Sequence, residues 1–497
     1  MAEAIGLKVD DPKFWDAGHL KQEVDRIFDI CWGCRLCFKF CGSFPTLFEL
    51  IDRKTDQLRA EHLSRHPEIA AAAAERRRAA AENPAPVEEH HGGEVGVTYG
   101  DELPEIQAHA RDLTNAEVDR VVELCFQCKL CYPNCPYTPP HEFALDFPRL
   151  LLRWKAHQTR HHGVSLQARL MRDTETIGRA ASTAPELANW ALKNRPNRAV
   201  MESVVGIHRD KLLPTYHRET FPQWWKAHQP RIEPAEPLKE GVETPTPVKA
   251  ALFSTCLIDY NDPQVGAAAV CVLEHNGVEV VRPEGQVCCG MPFLDGGDLD
   301  AAAAKIRRNV EILAPYAEQG YAIVIPSPSC SLMMREDFPQ LVAGPRTDVV
   351  ARRSHDLNEY LYRLARDGRL KRDFRRRFGR VQYHVPCHIR VQNIGIRGRD
   401  LLRLVADEVE LVQECSGHDG TWSMQKAHFE ESLRWGQKAF AGMRAGAGEP
   451  CALACTDCRL AALHLEQGAG RKTVHPVVAL AAAYGFEVGQ QLDTKPV

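Results

Sequence analysis

Apolar positions in this chain follow helical spacing in its first half and alternate with strand-like runs in its second. From Glu23 the apolar residues recur at i, i+3 and i+4, which predicts a short amphipathic helix, and the same pattern returns at Glu117. Residues 1–20 read as a loosely tied arm, and residues 60–112 as a solvated helix followed by a loop. Within that loop, His90 and His91 read as solvated side chains rather than ligands. From Phe143 to Trp225 the period stays helical, and the segment is rich in Arg, His and Trp. Such a segment fits helices bridging larger modules, or a basic, aromatic docking surface. Residues 229–248, with Pro at 230, 234, 237, 245 and 247, read as a linker.

Beyond the linker the character changes. Strands are predicted at Val248–Phe253, Val278–Arg282 and Ala322–Pro326, separated by helices at Pro263–His275 and Leu299–Gln319. A second set follows: strands at Val381–Val385 and Glu410–Gln413, with helices near Arg399–Ala406 and through Met424–Arg444. Strands that alternate with helices imply parallel pairing, so this half reads as a duplicated α/β domain.

The helix repeat in the first half carries the chemistry. Glu23-Val-Asp-Arg-Ile-Phe-Asp-Ile-Cys31 and Glu117-Val-Asp-Arg-Val-Val-Glu-Leu-Cys125 agree at five of nine positions, and each leads into a cysteine run. Thr114-x-x-Glu117 offers a capping box for the second helix. The runs are Cys31-x2-Cys34-x2-Cys37-x3-Cys41 and Cys125-x2-Cys128-x2-Cys131-x3-Cys135-Pro136. This spacing is the ferredoxin pattern for [4Fe–4S] clusters, in which the fourth cysteine of each run ligates the cluster of the other run. The assignment is therefore Cys31, Cys34, Cys37 and Cys135 for one cluster, and Cys125, Cys128, Cys131 and Cys41 for its partner. Gly42 stands where Pro136 stands in the second run, and still permits a sharp reversal.

Length and composition narrow the picture. At 497 residues the chain exceeds one ordinary core, and its net charge of −4 offers no general attraction to nucleic acid. No secretory signal and no apolar run of membrane-spanning length is present, so a cytoplasmic chain is expected, peripheral at most on the inner face of the membrane. Eighteen cysteines in that compartment point to metal ligation rather than disulfides.

A second set of cysteines lies near the ends of predicted strands, where α/β sheets bind ligands. The first α/β unit offers Cys256, Cys288, Cys289 and Cys330, and the second Cys387, Cys415, Cys455 and Cys458. Cys271 reads as a core residue and Cys451 as a spectator, while His418 is a candidate hydrogen-bond partner for a cluster sulfur. The spacings Cys256-x31-Cys288-Cys289-Gly290 and Cys387-x27-Cys415-Ser416-Gly417, with Cys455-x2-Cys458 closing the second, resemble the duplicated CCG domain of heterodisulfide-reductase-type iron–sulfur proteins. The arrangement of two ferredoxin runs ahead of two such domains is similar to the iron–sulfur subunits of anaerobic glycerol-3-phosphate dehydrogenase and of glycolate oxidase.

The resemblance implies an α+β multi-domain chain: a helical ferredoxin-like module over 20–150 with an insertion at 60–112, a helical bridge and linker over 151–248, and CCG units over 249–345 and 346–490. Two departures from the family are visible. Cys330-Ser-Leu-Met333 replaces a Cys-x2-Cys pair, and Ser416 replaces the second cysteine of CCG. With four thiols per unit, conventional [4Fe–4S] ligation is the simpler expectation, which puts direct disulfide reduction in doubt. One or two further clusters are expected there, with zinc as the alternative.

No dinucleotide or Walker fingerprint is present. The expected function is an electron-transfer subunit linking a flavoprotein dehydrogenase to a quinone, a membrane subunit or another carrier, with no catalytic residue assignable. The alternatives are a self-contained disulfide or small-molecule oxidoreductase acting at the CCG site, and a zinc-stabilised redox sensor or scaffold.

Overall fold

The computed structural model describes residues 6–82, 106–444 and 453–488. His90, His91 and Cys451 lie outside them. The first half is helical, with α1 (Ala17–Cys34), α2 (Ser43–Arg65), α3 (Pro67–Glu82), α4 (Asn115–Glu123) and α5 (Phe147–His162). The Thr114–Glu117 capping box starts α4: Thr114 Oγ1 accepts from the Glu117 amide, and the Glu117 carboxylate accepts from the Thr114 amide. Apolar faces of α1, α2, α4 and α5 meet in one core that includes Phe28, Phe44, Leu47, Val121 and Phe147.

The amino-terminal arm is not loose over its described part. Leu7 and Phe14 are fully buried and pack with Leu152 and Ala156 of α5. Arg153 Nε and His157 Nε2 of α5 both reach the Phe14 carbonyl. Two isolated apolar residues carry no periodicity, which is why the sequence pattern did not reveal this tie.

Four shorter helices form a cap after α5: α6 (Leu166–Arg172), α7 (Thr174–Ala181), α8 (Pro185–Lys193) and α9 (Arg195–Val204). The proline-rich linker that follows is tied down, with the Lys239 amide donating to the Asp367 carbonyl and the Thr246 amide to the Asp367 carboxylate.

The second half holds two all-parallel sheets. The first has strand order β2 (Glu279–Val281), β1 (Lys249–Leu252), β3 (Ala322–Ile325), β4 (Ser354–Asp356). The second has the order β6 (Ala406–Val412), β5 (Phe378–His384), β7 (Leu453–Thr456). Pairing register relates the two units: Leu252 lies opposite Val324 in the first, and Tyr383 opposite Cys455 in the second. In both, the first strand in sequence lies between two others, and the described cysteines other than Cys455, which is within β7, and Cys271 lie beyond the carboxyl ends of the strands. β4 corrects the division drawn at residue 346: Ser354–Asp356 pairs with β3 and completes the first sheet. Cys271 is also corrected, being only partly buried on the helix Pro263–His275.

Candidate iron–sulfur site

The last turn of α1 presents Cys31 and Cys34, and the helix stops at Arg35, whose φ of 52° breaks the helical course. In the second run Gln127 and Lys129 have φ of 49° and 57°. These left-handed residues alternate with cysteines, so the backbone coils and turns Cys125, Cys128 and Cys131 toward one region. A straight helix would spread them around its circumference.

Electrostatics groups the thiols across the two runs. Burial pushes the Cys31 thiol well up, and its cysteine neighbours Cys37, Cys135 and Cys34 push it further. Cys41 is raised by burial and then by Cys125 and Cys128, not by its own run. Cys131 is raised by burial and by Cys128, Cys125, Cys41 and Cys37. Cys135 therefore lies with the first run and Cys41 with the second, and the two groups adjoin through Cys37 and Cys131.

The first α/β unit draws its four cysteines into a chain of thiol contacts: Cys256 with Cys288, Cys288 with Cys289, and Cys289 with Cys330. Thr174 Oγ1, from the cap, lies 3.2 Å from the Cys256 sulfur. Met333 is fully buried in the neighbouring core and opens a π-helical turn, Met333–Asp337.

The second unit differs. Cys387 begins a helix after β5 as Cys256 does after β1, Cys415 follows β6, and Cys458 precedes the helix Arg459–Ala469 just as Cys330 sits in the first turn after β3. The Gly417 amide donates to the Cys415 sulfur at 3.3 Å, and His418 Nε2 lies 3.9 Å from the Cys458 sulfur. Cys415 lies beside Cys128 and Cys41, whereas Cys455 lies within β7. It occupies the strand position that Val324 holds in the first sheet, and its side chain is fully buried in the hydrophobic core with Tyr383 and Val474. Alternation along β7 turns it away from the site. Ser416 takes the place of Cys289, so the second unit offers three thiols.

The three modules meet at a junction that sequence reasoning missed. Cys128 contacts Cys387, and this contact with burial pushes the Cys128 thiol well up. His388 lies between all three: its Nδ1 is 2.9 Å from Ser329 Oγ and its Nε2 is 3.2 Å from the Gln127 carbonyl. Those partners adjoin Cys330 and Cys128. Burial pulls His388 down to about 4, so the imidazole is neutral, with Nε2–H donating to Gln127 and Nδ1 accepting from Ser329. Lys129 Nζ donates to Asp337 at 2.8 Å and Arg149 Nη2 donates to it at 3.1 Å. Burial alone would raise Asp337, but Lys129 and Arg149 outweigh it and hold the carboxyl below its ordinary range. Trp422 Nε1 donates to the Glu123 carbonyl, tying the second unit to α4. The one signal in the sequence was that Gln127, Lys129, Ser329 and His388 each stand next to a cysteine; nothing of the kind marks Asp337, Arg149 or Trp422.

A cavity of about 670 Å³ opens where the cap, α5 and the two α/β units face one another. Cys128, Cys256, Cys288, Cys289, Cys330, Cys387 and Cys458 all border it.

The donor set fits iron–sulfur clusters. Sulfur is the soft ligand such clusters take, and Cys41, Cys125, Cys131, Cys288, Cys289 and Cys330 are buried while the other thiols of these groups are partly so. Thiols pushed up to about 12, as Cys37, Cys125 and Cys415 are, with burial the largest cause, stay protonated unaided at neutral pH. A bound cation reverses that balance. Among the described residues no three Cys, His, Asp or Glu side chains converge as a single-ion site, whereas a cubane spreads its four thiolates around a larger body.

Comparison with known proteins agrees with this chemistry. The cysteine-rich CCG domain model matches residues 250–335 and 381–461, and the Fer4-like domain model of citrate utilization protein B matches residues 102–161. One subunit of anaerobic glycerol-3-phosphate dehydrogenase from Escherichia coli is 24% identical over 327 residues, covering 64% of this chain and 77% of that protein. One subunit of the fumarate reductase (CoM/CoB) from Methanothermobacter marburgensis is 32% identical over 190 residues, 37% of this chain and 36% of that protein. Lactate utilization protein A from Bacillus cytotoxicus is 30% identical over 197 residues, 37% of this chain and 79% of that protein. With thiols at the strand ends of a duplicated parallel α/β fold and these relatives alongside, the chain belongs to the heterodisulfide-reductase-related, CCG-domain family of iron–sulfur proteins.

Proposed function

We propose that this chain is the iron–sulfur subunit that conducts electrons between a flavoprotein dehydrogenase and a quinone or another carrier. The observation that carries this reading is a succession of thiol groups, bridged at one step by His388. The Cys31 group adjoins the Cys41 group through Cys37 and Cys131, the Cys41 group touches the second unit at Cys128 and Cys387, and His388 links both to the first unit.

Cys31, Cys34, Cys37 and Cys135 would hold one [4Fe–4S] cluster, Cys125, Cys128, Cys131 and Cys41 a second, and Cys256, Cys288, Cys289 and Cys330 a third. Cys387, Cys415 and Cys458 would supply a fourth site with three thiols. When bound, such clusters supply one-electron transfer at potentials set by ligands, burial and hydrogen bonds. The chain's own residues do the tuning. Gln127 Nε2 lies 3.4 Å from the Cys125 sulfur, and with the Gly417 amide at Cys415 it donates to sulfur and favours the reduced state. Phe126 and Trp422, packed edge to face, exclude water from the second group. Among the described residues no helix is long and apolar enough to cross a membrane, so contact with a membrane carrier would be peripheral or through a partner subunit.

Anaerobic purification with iron, sulfide and zinc analysis, followed by EPR of the reduced protein, tests the reading. It predicts a brown protein with near-equal iron and sulfide and interacting paramagnetic signals. A colourless protein holding stoichiometric zinc would contradict it.

A further inference from the structure

The cavity has two chemically distinct ends. Its inner end carries six cysteines of the two α/β units, with Asp295 from the first unit and Asp419 from the second. Its outer end lies under the cap and is apolar, lined by Leu170, Met171, Ile177, Leu192 and Met201 of α6–α9 and by Val205 just after them. Leu170 and Ile177 line the cavity and are also 39% and 38% exposed, so it reaches the surface between them. The surface there is apolar as well, with Leu166, Leu187, Trp190, Val200 and Val204 exposed on α6, α8 and α9. The 670 Å³ includes the space that clusters on its cysteines would fill, so a small molecule would take the part under the cap and beside Asp295 and Arg172.

Polar groups at the inner end are left without protein partners. Asp295 Oδ1 and Arg172 Nη1 are buried and make no hydrogen bond, although Arg172 Nη2 is fixed on the Gly296 carbonyl at 3.2 Å. A buried donor and acceptor in that state are costly unless a ligand satisfies them. An apolar corridor leading to such groups beside redox-active sulfurs asks for an amphipathic molecule: a reducible polar head on a long apolar tail.

We propose that this cavity binds a lipid-soluble quinone, its carbonyl head against Arg172 and Asp295 beside the thiols and its tail leaving between Leu170 and Ile177. The inference rests on the electron-transfer reading above. Arg172 Nη1–H and a protonated Asp295 donate to one quinone oxygen, and a protonated Asp419 donates to the other. Burial pushes Asp295 up to about 7, against the opposing charges of Lys129, Lys155 and Arg172 and with the help of Asp337. Burial and the neighbouring Asp295 push Asp419 well up against Lys155. Both carboxyls therefore keep protons to give. The stoichiometry closes: two electrons delivered from the dehydrogenase partner and two protons, one from each carboxyl, convert the two C=O groups of the quinone to the C–OH groups of the quinol. The carboxylates recover their protons from water.

Anaerobic calorimetric titration of the iron-loaded full chain, with a decyl-tailed benzoquinone and with the same ring lacking the tail, tests this. The tailed quinone is expected to bind at least about tenfold more tightly, since each buried methylene adds to affinity. Leu170→Lys and Ile177→Lys should each remove about tenfold of that preference while iron, sulfide and the EPR spectrum stay unchanged. Asp295→Asn should keep tail-dependent binding within about threefold but slow quinol formation by the prereduced protein at least about tenfold. Equal binding of the two quinones, or wild-type behaviour of both lysine variants, would overturn the site. Saturable binding of a dialkyl disulfide with no quinone binding would replace it with a disulfide site. Wild-type quinol formation by Asp295→Asn would overturn the placement of the head. A chain that takes up no iron would fail at the earlier step, the electron-transfer reading itself.

Discussion

The two α/β units share a frame and differ at their loops. Both place a central first strand between its neighbours, and both put a cysteine at the start of the helix that follows it. The first unit then closes four thiols on one another, and it holds the ferredoxin-like module through the Lys129–Asp337–Arg149 ion cluster. The second keeps three thiols, substitutes Ser416, and meets that module through sulfur, Cys387 on Cys128, and through Trp422. Duplication preserved what positions a site, the strand ends and helix starts, and changed what the site holds.

The comparison breaks most sharply at its fourth thiol. Cys289→Ser should abolish the iron of the first unit, whereas Ser416→Ala should leave total iron unchanged; iron and sulfide analysis of the two variants distinguishes them. Equal iron loss would mean that the units are chemically alike.

The ion cluster comes next in size. Asp337 is fully buried between two cations, and Asp337→Asn strands both, which should cost about 3–5 kcal/mol in denaturant unfolding. Its pH signature has a definite sign. The folded carboxyl sits below its ordinary value, so its stabilisation is complete above about pH 4 and is lost as pH falls through the depressed folded value. Wild-type stability should therefore fall in acid more steeply than that of Asp337→Asn.

The paired glycines sharpen the comparison further. Gly290 and Gly417 both have positive φ, 98° and 71°. A Cβ on Gly290 would meet nothing nearer than 3.4 Å, but on Gly417 it would fall 1.9 Å from the Ser432 carbonyl oxygen. Gly290→Ala should cost about 1–2 kcal/mol from backbone strain alone. Gly417→Ala adds overpacking and should cost about 2–5 kcal/mol, with loss of the Gly417 amide contact to Cys415.

The smallest effect is expected at Cys455. Because it sits where the first unit has Val324, Cys455→Val should change stability by less than about 1.5 kcal/mol and leave iron content intact. Cys458→Ser, three residues away, should lose iron.

These contrasts mark what the sequence could and could not convey. The ferredoxin runs and most strand–helix alternation were legible because ligand spacing and periodicity are local; the helix Pro263–His275 is found where the pattern predicts it. β4, Ser-His-Asp, carries no apolar residue to mark it, and β7, Leu-Ala-Cys-Thr, holds a cysteine that reads as a ligand. In β7 the Cys455-x2-Cys458 spacing imitates a ligand pair, while strand alternation sends Cys455 into the core. His388 and Asp337 acquire their roles only from partners far along the chain, Gln127 and Lys129. No local pattern encodes those meetings.

The central claim is that electrons pass through thiol groups shared between the two runs, and paired single substitutions examined by EPR test it most directly. Cys135→Ser should lose the same cluster signal as Cys34→Ser, and Cys41→Ser the same signal as Cys128→Ser. If Cys135→Ser instead matches Cys128→Ser, each run holds its own cluster and the crossed relay is wrong.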